Sequence, residues 1–249
     1  MELLEYFLLV AVGFIAGFIN TVAGGGTLLS MPMLIFMGLP PTVANGTNRV
    51  AIILQTFIGV LGFRSKGVKT YPFSIYMGIM AFLGAFIGAY IASQMPEDSF
   101  KKVLSAIMIF VIVAMSITSK QKFNFPKHRT KGLYFYISLV VYFLFGIYGG
   151  FINAGMGFIM LLTVPLLNRF SIAETNATKV MVVCIYSLSA ILTFALNDKI
   201  NWKIGLILAV GNISGAWIAS RWSVGKSEKY IRAFIFTMVI LMAIKLWVF

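Results

Sequence analysis

Charge is scarce in this sequence. Asp, Glu, Lys and Arg make up 11% of its 249 residues, and only seven of these are acidic: Glu2, Glu5, Glu97, Asp98, Glu174, Asp198 and Glu228. All seven fall at a terminus or between apolar stretches, so no carboxylate stands in mid-segment to relay protons. There is one cysteine, Cys184, and one histidine, His128. A lone thiol excludes an intrachain disulfide and leaves a thiolate metal site without a second ligand. Without paired histidines or a buried acid, neither a metal centre nor a Ser-His-Asp arrangement can be assembled. The sequence therefore argues against an enzyme and implies no cofactor and no metal.

What is abundant is apolar. Sixty per cent of residues are hydrophobic and the mean hydropathy is +0.95, far from a soluble domain, so the chain reads as an integral membrane protein whose principal environment is the lipid bilayer. The net charge of +13 comes from basic residues scattered over short loops, which fits membrane topology rather than nucleic-acid binding.

Ten hydrophobic segments are expected: 3–19, 21–38, 43–63, 72–95 and 103–118, then, after a polar connector, 133–152, 154–168, 175–196, 200–221 and 230–249. The domain reading is a first transmembrane repeat over 1–118, a basic cytoplasmic connector over 119–131 and a second transmembrane repeat over 132–249. The first helix lacks the basic start of a signal peptide, since it opens MELLEYF, and it is expected to remain in the mature protein.

The two halves repeat one another. GFINTVAGGGTLLSMP from Gly17 returns as GFINAGMGFIMLLTVP from Gly150, at a constant offset of 133 and with eight of sixteen positions identical. Asn45-Gly46-Thr47-Asn48-Arg49 parallels Asn176-Ala177-Thr178-Lys179, and GAYIAS from Gly88 parallels GAWIAS from Gly215. Small residues at Gly84, Gly88 and Ala92 recur at Gly211, Gly215 and Ala219, a spacing that brings helix backbones close in lipid and would serve either the contact between halves or a homodimer. If each interrupted segment counts as a full crossing, the basic residues divide fourteen to six across the membrane, against eleven to nine if it is re-entrant. The positive-inside rule then puts both termini outside. An odd number of crossings per half turns the second copy upside down. The fold expected is thus an all-α, polytopic transmembrane helical bundle of two inverted five-segment repeats, each with an interrupted or re-entrant segment.

Glycines and a proline inside an apolar segment interrupt the helix and leave backbone groups that lipid cannot satisfy. Such breaks at matching places in two halves point to a transporter's binding site. The first candidates are Asn20, Thr21, Gly24, Gly25, Gly26 and Thr27, answered by Asn153 and Gly157: a helix restarting there presents free N–H groups and a positive dipole end to an anion. The second set is Asn45, Thr47, Asn48 and Arg49 with Asn176, Thr178 and Lys179, where a guanidinium beside neutral donors suits an oxyanion. Each has a plainer reading as well, helix-to-helix hydrogen bonding for the first set and a helix start with an interfacial cation for the second.

Taken in order, AGGG at Ala23–Gly26 followed by Pro32, GTNR at Gly46–Arg49 and the GAYIAS and GAWIAS helices resemble the sulfite exporter TauE/SafE family over nearly the whole chain. The resemblance implies a multi-pass protein of the cell inner membrane that exports sulfite, sulfonates or other organosulfur anions. The function expected is alternating-access export of such a small anionic substrate. A passive anion channel or a non-transporting membrane scaffold is the alternative.

Overall fold

The computed structural model describes residues 3–117 and 128–224. Among these residues there are nine helices and no strand: α1 (Leu3–Val22), α2 (Thr27–Phe36), α3 (Pro41–Ser65), α4 (Phe73–Gln94), α5 (Glu97–Ile117), α6 (Leu133–Phe151), α7 (Met156–Asn168), α8 (Ile172–Leu196) and α9 (Trp202–Ser223). The expected tenth segment, 230–249, and most of the basic connector lie outside the described residues.

Six helices, α1, α3, α4, α6, α8 and α9, are long and apolar enough to cross a membrane, whereas α2 and α7 are apolar but short. The second element of each half is therefore the truncated one, as the glycines and prolines of the sequence require. The first break lies slightly later than expected, and the second falls where the sequence puts it. Helix α1 runs on to Val22 and ends where Gly24 turns left-handed at φ +85°. Helix α6 ends at Phe151, and the chain turns through Asn153 (φ 63°) and Gly155 (φ 70°) before α7 begins. Asn20 thus sits inside the last turn of α1, while Asn153 lies in the break itself.

Helices α3 and α8 begin earlier than the apolar pattern suggests. Pro41 occupies the first turn of α3, where a missing N–H costs nothing. Ser171 and Glu174 form a reciprocal capping box at the start of α8. Asn45–Arg49 and Asn176–Lys179 consequently stand at least one turn inside their helices, and they are buried.

The surface is inside out relative to a soluble protein. Phe36 is 78% and Leu196 72% exposed, while Arg49 is 0% exposed. Such an apolar exterior suits lipid chains.

The halves interlock by exchange. Helix α4 packs on α6 and α8, α9 packs on α1 and α3, and α3 crosses α8. The small-residue stripes lie on these inter-half seams. A Cβ at Gly84 or Gly88 would strike the backbone of Phe143 or Ile147, and one at Gly211 or Gly215 would strike that of Val10 or Phe14. Val10 and Phe14 correspond to Phe143 and Ile147 at the same offset of 133, so the α4–α6 and α9–α1 seams are one interface built twice.

Candidate functional site

A helix that stops inside a bundle leaves its last carbonyls without intrahelical donors. The end of α1 is served by α8: Lys179 Nζ donates to Asn20 O at 3.0 Å, Thr21 O at 2.9 Å and its own helix's Asn176 Oδ1 at 2.7 Å. Asn176 Nδ2 donates in turn to Val22 O at 3.2 Å. The end of α6 is served by α3 in the same manner. Arg49 donates to Gly149 O at 2.5 Å, Gly150 O at 2.9 Å and Asn45 Oδ1 at 3.2 Å, and Asn45 Nδ2 donates to Phe151 O at 2.7 Å. Each half supplies a cation and an asparagine to the other half's negative helix end, the arrangement the helix dipole favours.

Arg49 and Lys179 are 0% and 2% exposed, and no buried carboxylate among the described residues balances them.

The restarting helices face each other. Neither α2 nor α7 has a side-chain cap; carbonyls of the preceding loop, Gly25 and Gly26 before α2 and Asn153 and Gly155 before α7, accept from most of their first N–H groups. Gly24 and Gly157, equivalent in the repeat, touch: a Cβ on either would collide with the backbone of the other. Only glycine permits that approach. Asn153 ties the two breaks together. Its Nδ2 donates to Thr27 Oγ1, the first residue of α2, at 3.4 Å, and its Oδ1 accepts from the Tyr186 hydroxyl.

Beside this junction is a cavity lined by Asn20, Gln55, Thr56, Asn153, Gly157, Lys179, Val180 and Val183. Its free volume is about 10 Å³, the room of about one water. Four of the residues singled out from the sequence, Asn20, Asn153, Gly157 and Lys179, are therefore brought together, with Gly24 and Thr27 directly behind them.

The others are engaged in packing around the cavity. Thr21 Oγ1 donates to Gly17 O at 2.9 Å, and Gly26 presses on Ala16 and on Asn20 Cβ, with Gly25 buried between the helices. Thr47 Oγ1 accepts from the Asn201 N–H at 2.9 Å, and Asn48 Oδ1 accepts from Ser30 Oγ at 2.9 Å. Thr178 Oγ1 is buried without a partner. Gln55 and Thr56 line the cavity although the repeat did not single them out. The signal available was a glutamine in the apolar run VAIILQTFIGVLGF.

A family model described as sulfite exporter TauE/SafE matches residues 9–246. Curated relatives include the probable membrane transporter protein ORF9 of a Sinorhizobium species, 29% identical over 96% of this chain and 91% of that protein. A probable membrane transporter protein of Haemophilus influenzae is 29% identical over 96% and 93%. The probable membrane transporter protein YfcA of Escherichia coli K12 is 27% identical over 94% and 87%. No solved structure matches the chain.

Proposed function

The chain belongs to the sulfite exporter TauE/SafE family of membrane transporters, and we propose that it carries small organosulfur oxyanions, such as sulfite or sulfonates, outward across the inner membrane. The observation that carries this reading is electrostatic. Two buried cations, Arg49 and Lys179, stand at the two helix breaks with no buried carboxylate among the described residues, and Lys179 lies against Gly157 at the start of α7. An unbalanced buried charge is costly, and a polar ligand of opposite sign in the cavity relieves that cost. Lys179, Asn20 and Asn153 line the place where such an anion would sit, and the starts of α2 and α7 add their dipoles.

The mechanism we favour is alternating access between inverted halves. The exchanged seams support it, as does the contact of Gly24 with its own counterpart Gly157, since only a residue near a two-fold axis meets its equivalent. The division of basic residues, fourteen to six when each interrupted segment counts as a full crossing, supports the inversion and a cytoplasmic connector. A cavity of about 10 Å³ suits an occluded state that must widen to admit a substrate.

Uptake of sulfite into proteoliposomes tests the proposal. Saturable flux with counterflow is expected. Flux that rises linearly with concentration and lacks counterflow would make the protein a channel, and no flux with any organosulfur anion would make it a scaffold.

A further inference from the structure

The cavity's positive charge and its free hydrogen-bond donors belong to different residues. An ammonium has three N–H donors, and Lys179 spends all three on Asn20 O, Thr21 O and Asn176 Oδ1. Asn153 is engaged at both ends of its carboxamide. Thr56 Oγ1 donates to the carbonyls of its own helix, at 2.8 Å to Ile52 and 3.1 Å to Ile53. Two polar lining residues remain. They are Asn20, half-buried at the cavity wall, and Gln55, only 1% exposed, whose Nε2 finds no acceptor.

Gln55 is held from behind. Asn212 of α9 donates Nδ2 to Gln55 Oε1 at 3.0 Å, and each carboxamide of the pair keeps one buried, unpartnered end, Gln55 Nε2 and Asn212 Oδ1. A buried donor without an acceptor is destabilising unless something arrives to accept from it. The repeat counterpart of Gln55, at the offset of 131 that relates α3 to α8, is Tyr186, whose hydroxyl is already committed to Asn153. At this repeat position, therefore, only Gln55 keeps an unpartnered donor.

We infer that Gln55 is a direct ligand of the transported anion, donating Nε2 to one of its oxygens while Lys179 supplies charge without releasing its carbonyls, and that Asn212 is the positioning residue for Gln55. This rests on the anion reading above and deepens it. The substrate is a small oxyanion offering at least two acceptor oxygens, one to Gln55 and one to Asn20.

The test is anion binding by the purified full chain in detergent, read as thermal shift and calorimetric affinity for sodium sulfite and sodium methanesulfonate, alongside the unfolding temperature without anion. For Gln55→Met the affinity should fall at least tenfold, with the anion-free unfolding temperature within a few degrees of native. Gln55→Glu, which keeps an acceptor for Asn212 but turns the donor into a negative charge, should lose more. Because Gln55→Met strands Asn212 Nδ2, the double variant Gln55→Met with Asn212→Leu removes both members together and should show the same loss of affinity. Native protein that binds an anion while both the single and double variants bind within threefold of it would overturn the role of Gln55 and leave the anion reading standing. Native protein that binds neither anion would overturn the anion reading and this inference with it. Failure of both variants to fold would also overturn the inference, since Gln55 would then be a packing residue.

Discussion

Replacing Gly88 or Gly215 by alanine should destabilise the protein by the same amount, because each glycine touches the same backbone in its own copy of one seam. A Cβ at Gly88 would lie 2.8 Å from Phe151 N and 2.9 Å from Ile147 C, and one at Gly215 would lie 2.8 Å from Phe18 N and 3.0 Å from Phe14 C. In both cases it would come closer still to a carbonyl oxygen. Ordinary van der Waals contact begins near 3.4 Å, and the carbonyl oxygen sets the displacement, so the helices must part by about 1–1.5 Å, which forfeits roughly half or more of the dispersion energy along the seam. Overpacking of this kind costs about 1–3 kcal/mol, while alanine in a helix returns about 0.5–1 kcal/mol relative to glycine. The net expectation is a loss of about 1–2 kcal/mol at either site. Gly59 in α3 is the control. Its nearest neighbour is Val180 Cγ1 at 3.4 Å, so Gly59→Ala should be neutral or stabilise by about 0.5 kcal/mol through helix propensity alone. The assay is the unfolding temperature of detergent-purified protein followed by tryptophan fluorescence, with folded yield alongside. If Gly88→Ala and Gly215→Ala match Gly59→Ala, or differ widely from each other, the equivalence of the two seams is refuted.

Arg49→Lys should lower the unfolding temperature and yield, because one ammonium cannot reproduce the guanidinium fork on Gly149 O and Gly150 O, and each stranded buried carbonyl costs about 1–3 kcal/mol; normal stability would show that the cap is dispensable. Lys179→Gln should weaken anion binding at least tenfold, since a unit charge about 5 Å from an anion is worth about 3 kcal/mol at an effective dielectric near 20; unchanged affinity by calorimetry would remove Lys179 from the site. At the start of α5, burial alone would raise the Glu97 carboxyl, but hydrogen bonds from the Thr42 hydroxyl and N–H and from Lys199 outweigh it and hold it below its ordinary value of 4.5. Its contribution to stability is therefore present above about pH 4.5 and lost as pH falls through the lowered value, so Glu97→Gln should flatten the acid limb of a plot of unfolding temperature against pH, and an unaltered limb would count against the clamp.

Much of this architecture was legible before any coordinates, and the reason is physical. Lipid tolerates interrupted backbone only where protein covers it, so glycines and prolines recurring at one offset marked the two breaks and the short helices after them. The GAYIAS and GAWIAS stripes marked the close seams for a similar reason. What the stripes could not reveal was their partner, because a small face accepts any backbone that fits; the choice of α6 and α1 depends on how the halves wrap. Arg49 and Lys179 stood out as cations in apolar segments, yet a sequence carries no trace of the carbonyls they serve, which lie about one hundred residues away or more. Because Arg49 holds the end of α6, Arg49→Gln is expected to lower folded yield. Gln55 escaped notice because its importance is a missing hydrogen bond, and nothing local to α3 predicts that Asn212 takes the oxygen and leaves the nitrogen free.

The crossed caps also bear on how such a protein moves. Helix α8 holds the broken end of α1 and α3 holds that of α6, so neither α3 nor α8 can tilt without carrying the other half's break along. The two caps are chemically unequal. A guanidinium fork fixes its acceptors in one plane, whereas an ammonium on a flexible stem can exchange one acceptor for another. Only the ammonium, Lys179, lines the cavity. The α1–α8 junction is thus the side on which widening the cavity need not break a rigid contact, and it adjoins the unpartnered donor in the cavity lining, Gln55 Nε2. Under the proposed anion reading, the rigid cap at Arg49 and the adaptable cap at Lys179 divide a repeated scaffold into an anchored half-site and a responsive one, and two similar halves then offer a single off-axis place for the anion.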